Sequence, residues 1–239
     1  MATSGTTTFN LTIDEIVEEG YERCGISTNS GYDLKSGRRS VNLLLQDWNN
    51  RGINLWKVQL VAQALTAGTS RYVSDAGTND IMEAYISNNG TTINNASDSN
   101  DIALTKIDRS AYSALAGKGT RSQPSQYFID RQTLPVIYLY PNPDASTYTY
   151  LKYYAIKRIE DAGAYTNDPD APFRFLPALC AGVAFNLALK RAPERIQTLK
   201  LLYEDSLQRA LRRMVLEPVL TLLHKLTIQR CHNGNMGNR

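Results

Sequence analysis

The side chains that most often do acid–base, nucleophilic or metal chemistry are scarce in this sequence. Only two histidines occur, His224 and His232, both close to the C-terminus. Neither stands beside a Ser or Cys in a segment with a clear structural period, so a nucleophilic triad has no support. The three cysteines, Cys24, Cys180 and Cys231, form no CxxC pair. There is no HExxH, no Cys/His cluster of zinc spacing and no GxSxG elbow. The stretch "AGKGTRS" (116–122) is Gly-rich and basic, as a phosphate cradle would be, but lacks the GxxxxGK[ST] pattern and does not run from a strand into a helix N-terminus. Asp98 and Asp101 suggest calcium by type alone; EF-hand spacing and its Gly are missing. Asp168 and Asp170 share one Pro-containing loop, which reads as a turn rather than as facing acids. Glu15, Glu18 and Glu22 read as the solvated face of a helix. The sequence therefore predicts no catalytic residue, cofactor or metal, and not an enzyme.

The elements that must hold whatever function remains have an ordinary composition. The chain has 239 residues, 42% hydrophobic and 21% charged, with a formal net charge of +3. That suits one large domain, or a helical part and a β part sharing a core. Lys and Arg are spread out rather than gathered in a basic stripe. An odd, sparse Cys set fits a reducing compartment. No run of about 18 consecutive apolar residues is present, and the N-terminus "MATSGTTTFNLT" lacks a basic region followed by an apolar one. No membrane contact is expected, and the N-x-S/T triplets at Asn10, Asn89 and Asn95 read as chance matches.

Thr12 before "IDEIVEEGYERCG", with Glu15 three residues on, predicts a capping box; Ile13, Ile16, Val17 and Tyr21 share a face and Gly25 stops the helix. "DLKSGRRSVNLLLQDWNNRG" predicts a second helix, N-capped by Asp33 and ended at Gly52, close enough to the first to form a hairpin. The period then changes to strands: "LWKVQLVAQALTAGTSRYV", "NDIMEAYISNNGTTI", "DIALTKIDRSAYSALAGKG" (a strand entering a helical turn capped by Asp108), "PSQYFID", "LPVIYLYPNP" and "TYTYLKYYAIKRI". The polar segment 88–101 reads as an exposed loop. "FRFLPALCAGVAFNLALKRA", with Pro177 in its first turn, and a helix opened by Pro193 follow. The expected fold is α+β: a four-helix bundle of N- and C-terminal helix pairs, a central antiparallel β insertion and an extended C-terminal arm. The expected divisions are a helical hairpin at 10–53, a β-rich region at 54–160, a helix pair at 172–216 and the arm at 217–239.

"IDRQTLPVIYLYPNP" (129–143) joins an apolar, Tyr-bearing strand to a Pro-rigid turn with no catalytic group near it. Its surroundings carry a resemblance. Asp108-Arg109 with Tyr112, Pro124 with Tyr127, Tyr140-Pro141-Asn142-Pro143 and the later "YAIKRIEDAG…DPDAPFRFLPALCAGVAFNLA" resemble, in that order, the head-to-tail adaptor (connector, or tail-accessory) proteins of short-tailed bacteriophages. The resemblance covers about residues 10–215. It implies a virion protein assembled in the host cytoplasm into a ring, most often dodecameric, under the portal protein. Its other end would dock the next tail component, a nozzle or tail hub, and double-stranded DNA would pass through the centre without sequence recognition. Tyr138 and Tyr140 then either contact neighbours or fill the domain's own core.

Two contact regions follow as expectations. The loop residues Asn89, Gly90, Asn94, Asn95 and Asp98 would meet the distal tail component. In the basic tail, Leu220, Leu223, His224, Lys225, Ile228 and Arg230 would dock on the portal. Asp108, Arg109, Tyr112, Tyr140, Pro141 and Pro143 are expected to be structural. The alternative is a nucleic-acid-binding module using the basic and aromatic strand 148–158; a cell-wall hydrolase would need an essential acid pair.

Overall fold

A computed structural model describes residues 5, 10–27, 30–92 and 100–212. The chain divides into two compact units: a helical one from Met1–Asp47 and Glu160–Arg239, and a β one over Trp48–Ile159.

In the helical unit, α1 is Ile13–Arg23, α2 is Gly31–Asn50 (its last residues lie in the β unit), α4 is Leu176–Arg191 and α5 spans 196–212. Glu15 accepts the Thr12 N–H at 2.8 Å, the reciprocal half of a capping box. The free N–H groups of Ile13 and Asp14 donate to the carbonyls of Asn167 and Tyr165, so the 160–171 segment completes the helix start. Ser30, rather than Asp33, caps α2: its hydroxyl lies 2.8 Å from the Asp33 carboxylate and accepts the Asp33 N–H at 3.3 Å. Asp33 is the third residue of the helix and supplies the return half of that box.

α4 explains its own composition. Leu176, Ala178, Leu179, Cys180, Ala181, Gly182, Val183, Ala184, Leu187 and Ala188 are buried, on every side of the helix and not along one stripe. Phe173–Arg191 has the length and apolar character of a membrane span, but most of it is buried inside the unit, as in the core helix of a globular fold. Small residues let its neighbours come close. Gly20 of α1 faces Val183 and Leu187; Gly182 faces Leu44 of α2 and Tyr203 of α5, whose ring stacks on Phe185 at 6.3 Å. Along α5, Leu199, Tyr203, Leu207 and Ala210 are buried, whereas Leu202 is exposed.

The β unit is a sandwich. One sheet has the order β1 (Val58–Ala64), β10 (Tyr150–Lys157), β3 (Thr78–Ser87), β4 (Asp101–Ala103). The other has β2 (Arg71–Val73), β8 (Val136–Tyr140), β7 (Gln126–Asp130), β5 (Thr105–Ile107). β6 (Arg121–Ser122) and β9 (Asn142–Pro143) form a third, two-stranded sheet. Alternate residues of the two large sheets meet in a core that includes Ile81, Ile86, Leu151 and Tyr153 from one and Tyr72, Tyr127, Ile137 and Leu139 from the other.

The expected four-helix bundle with a single antiparallel insertion is not what folds. Among the described residues there are five helices and ten strands in three sheets. One helix, α3 (Arg109–Ala114), lies inside the β unit, and β5–β7 and β6–β9 pair in parallel. The β part has a core of its own. Alternation along a strand fixes which residues face inward, not which strand lies alongside. The Ala67–Gly68 turn passes from one sheet to the other, held by the Tyr72 hydroxyl accepting the Thr66 N–H at 3.0 Å.

Gly37 tests the close packing. A Cβ there would lie 2.3 Å from Val17 Cγ1, the branch of a stiff side chain. Gly37→Ala is expected to lower stability by about 1–3 kcal/mol, despite the better helix propensity of Ala. In a Val17→Ala background the same change should cost nothing. Chemical denaturation of the four proteins measures that coupling.

Candidate adaptor interfaces

Of the residues that carry the family resemblance, Asp108, Arg109 and Tyr112 lie at the outer face of the β2–β8–β7–β5 sheet, whereas Tyr127 belongs to the core between the sheets. Inward-facing residues of β7 and β8 leave Phe128 and Tyr138 on the opposite side, and α3 lies over them. Asp108 caps α3 by accepting the Ala111 N–H at 2.6 Å. That start places Tyr112 on Phe128 (5.5 Å between ring centres) and on Tyr138 (5.6 Å). Cations lie over the rings: Arg109, ion-paired with Asp130, is 5.4 Å from the Phe128 ring, and Lys118 is 5.4 Å from that of Tyr112. Burial raises the Tyr112 pKa, so its hydroxyl stays neutral.

The second half of the motif anchors the next loop. The Tyr140 hydroxyl donates to the Ala116 carbonyl at 2.9 Å, and Asn142–Pro143 runs beside Arg121–Ser122 as β9 against β6. The Tyr140–Pro141 peptide is cis. Asn142 N–H donates to the Thr120 carbonyl at 3.0 Å, and the Pro143 carbonyl accepts from Gly68 N–H at 2.8 Å. "AGKGTRS" is thus a braced turn. Tyr138 and Tyr140 are half-buried and engaged with the protein's own groups.

Two of the three cations of strand 148–158 are withdrawn from the surface, while Arg158 is exposed and donates to the Thr133 carbonyl at 2.6 Å. The side chains of Lys152 and Lys157 are 2% and 9% exposed, and each meets a carboxylate: Lys152 with Asp101 at 3.2 Å, Lys157 with Asp75 at 2.5 Å. Lys157 also donates to the Ala76 carbonyl at 2.6 Å. Its hydrogen bond lowers the Asp75 pKa. Nucleic acid needs such cations at the surface, so these two lysines give no support to a nucleic-acid platform.

Of the expected distal-contact residues, Asn89 and Gly90 are described. The Asn89 side chain accepts from the Thr91 N–H at 3.0 Å, and Gly90 sits so close to the Tyr150 ring that a Cβ would lie 2.6 Å from it. Asn94, Asn95 and Asp98 lie outside the described residues, as do Leu220, Leu223, His224, Lys225, Ile228 and Arg230.

A surface feature of the helical unit escaped the sequence reading. A groove of about 640 Å³ is rimmed by Glu15, Glu18, Glu19 and Glu22, with Leu11, Phe173, Leu176, Pro177 and Cys180 among its apolar lining. Its acids come from α1 and, Leu11 apart, its apolar residues come from a segment some 160 positions on, a juxtaposition no local pattern reveals. Burial pushes the Cys180 thiol up to about 11, which makes it a poor nucleophile. Asp168 and Asp170 serve the loop, accepting from Asn10 and from the Glu160 N–H. Among the described residues, no three His, Cys, Asp or Glu side chains converge as a metal site would require.

A family model described as SU10 adaptor protein matches residues 22–222, which span both units, and the chain belongs to that family. No curated protein sequence matches it. The family makes this chain a phage adaptor, a structural component of the virion that contacts other head or tail components.

The Lys152–Asp101 pair gives an asymmetric expectation. Asp101→Ala leaves a buried ammonium without its carboxylate and should cost about 3 kcal/mol. Lys152→Met keeps the packing and frees only a partly exposed acid, so it should cost less than about 1 kcal/mol. Thermal unfolding of the two variants compares them.

Proposed function

We propose that this adaptor forms a closed ring beneath the portal, dodecameric as in the proteins it resembles, that extends the DNA channel and gives the next tail component its platform. The match to the adaptor family over residues 22–222 carries this reading. The braced outer face around Tyr112 and the buried, paired lysines of β10 suit a protein that assembles and lets DNA pass without gripping it. A ring requires heterologous contacts, one patch of each copy against a different patch of the next. The C-terminal segment 217–239 is assigned to the portal and the loop 88–101 to the distal partner.

Two experiments check these assignments. High-resolution imaging of the portal-bound protein should show a closed ring; an isolated dimer on the portal would rule the reading out. Deleting residues 90–99 should leave portal docking intact and impair addition of the next tail component. Normal tail completion by that variant would remove the loop from the interface.

A further inference from the structure

The groove of the helical unit sets acids beside uncovered apolar surface. Of the four glutamates on its rim, Glu19 pairs with Arg23 at 2.7 Å and Glu15 accepts the Thr12 N–H. Glu18 and Glu22 are exposed and stand four residues apart, so they share a face of α1 and repel one another. Among the described residues neither has an ion-pair partner. Next to these acids Phe173 is 64% exposed, and Leu176 and Pro177 extend the apolar lining. An apolar hollow rimmed by one sign of charge suits an occupant that is apolar and basic.

The end of α5 leads to such a segment. A short connection at 192–195 turns the chain back, and Tyr203 of α5 meets Gly182 and stacks on Phe185 of α4, so the two helices run antiparallel. About 13 Å further along α5, and the same distance back along α4, residue 212 comes level with Phe173 and Leu176. Residues 213–239 therefore continue from the apolar end of the groove. After Glu217 they contain no acid; Leu220, Leu222, Leu223, Leu226 and Ile228 stand among Lys225 and Arg230. Neighbouring helix axes lie about 8–10 Å apart, and α1 is 11 residues long, or about 16 Å. The stretch from 213 to 225 reaches about 40 Å when extended, so Lys225 can reach every acid of the rim.

We propose that residues 218–230 dock in the groove of their own copy and form a latch on the free protein. The leucines cover Phe173, Leu176 and Leu11, and Lys225 and Arg230 face Glu18 and Glu22. Tethering favours the copy's own tail over another's, because a short linker holds its end at an effective concentration in the millimolar range. The latch belongs to the unassembled protein and does not rest on the ring. Residues 217–239 are the segment assigned above to the portal, so portal docking has to draw them out of the groove, and part of the docking energy is spent on that release.

The test uses the free, full-length protein in dilute solution. Amide hydrogen exchange across residues 218–230 should be at least about tenfold slower than in a synthetic peptide of the same sequence. Glu18→Lys with Glu22→Lys should abolish that slowing, and Lys225→Glu with Arg230→Glu should abolish it too. The four changes together should restore it, with the melting temperature of the protein held throughout, since Glu18 and Glu22 are exposed. Carbodiimide condensation, which joins an amine to a carboxyl with loss of water, should link Lys225 to Glu18 or Glu22. In an equal mixture of isotopically light and heavy protein, each linked pair of peptides should carry a single label. The proposal is overturned by tail amides that exchange as in the peptide, by slowing indifferent to reversal of Glu18 and Glu22, by a four-fold variant that fails to restore it, or by links that join light to heavy copies. None of these results bears on whether the portal takes the tail, which is read from the portal complex.

Discussion

The β unit depends on strand β10. It lies between β1 and β3, and its inward residues Leu151, Tyr153 and Ala155 belong to the core between the sheets. Its polar residues also hold the surrounding backbone. Lys152 meets Asp101 on β4, Lys157 meets Asp75 and Ala76 in the turn before β3, and the Tyr153 hydroxyl accepts the Asp75 N–H at 2.9 Å. A strand that reads as surface, rich in Tyr and Lys, is thus the most constrained of the unit. A lysine stem packs as an apolar side chain and its ammonium remains buried only beside a carboxylate. In the helical unit α4 has the equivalent place, approached at Gly20 and Gly182 by the helices around it.

This arrangement explains why the molecule displays so little chemistry. Its aromatic groups are stacked on one another, its buried cations are matched by acids, and the Cys180 thiol is held neutral by burial. Among the described residues, the surface features that stand out are the α3 face and the acid-rimmed groove on α1. Those are features of a protein that contacts others, in keeping with membership of an adaptor family.

Local structure was legible in the sequence wherever one residue determines it. Thr12 with Glu15, Gly25, Gly52, Asp108 and Pro177 mark element ends where the structure has them. The exception, Asp33 for Ser30, arises because both halves of a capping box are acceptors of similar type. Pairing was not legible. β1 joins β10 across some 90 intervening residues, and β5 joins β7 in parallel around α3, because strand patterns encode a face and not a neighbour. The outcome for Lys152 and Lys157 was hidden for the same reason: Asp101 and Asp75 are distant in sequence. The motif from Asp108 to Pro143 was visible as a family likeness; its physical cause, an aromatic stack under α3, required the fold.

Assembly on the portal is the central claim, and mass measures it most directly. The purified portal, weighed by native mass spectrometry with and without this protein, should gain one discrete increment that is a whole-number multiple of 26.7 kDa and matches one closed ring. No gain, or a graded series that never saturates at a ring, would contradict the account.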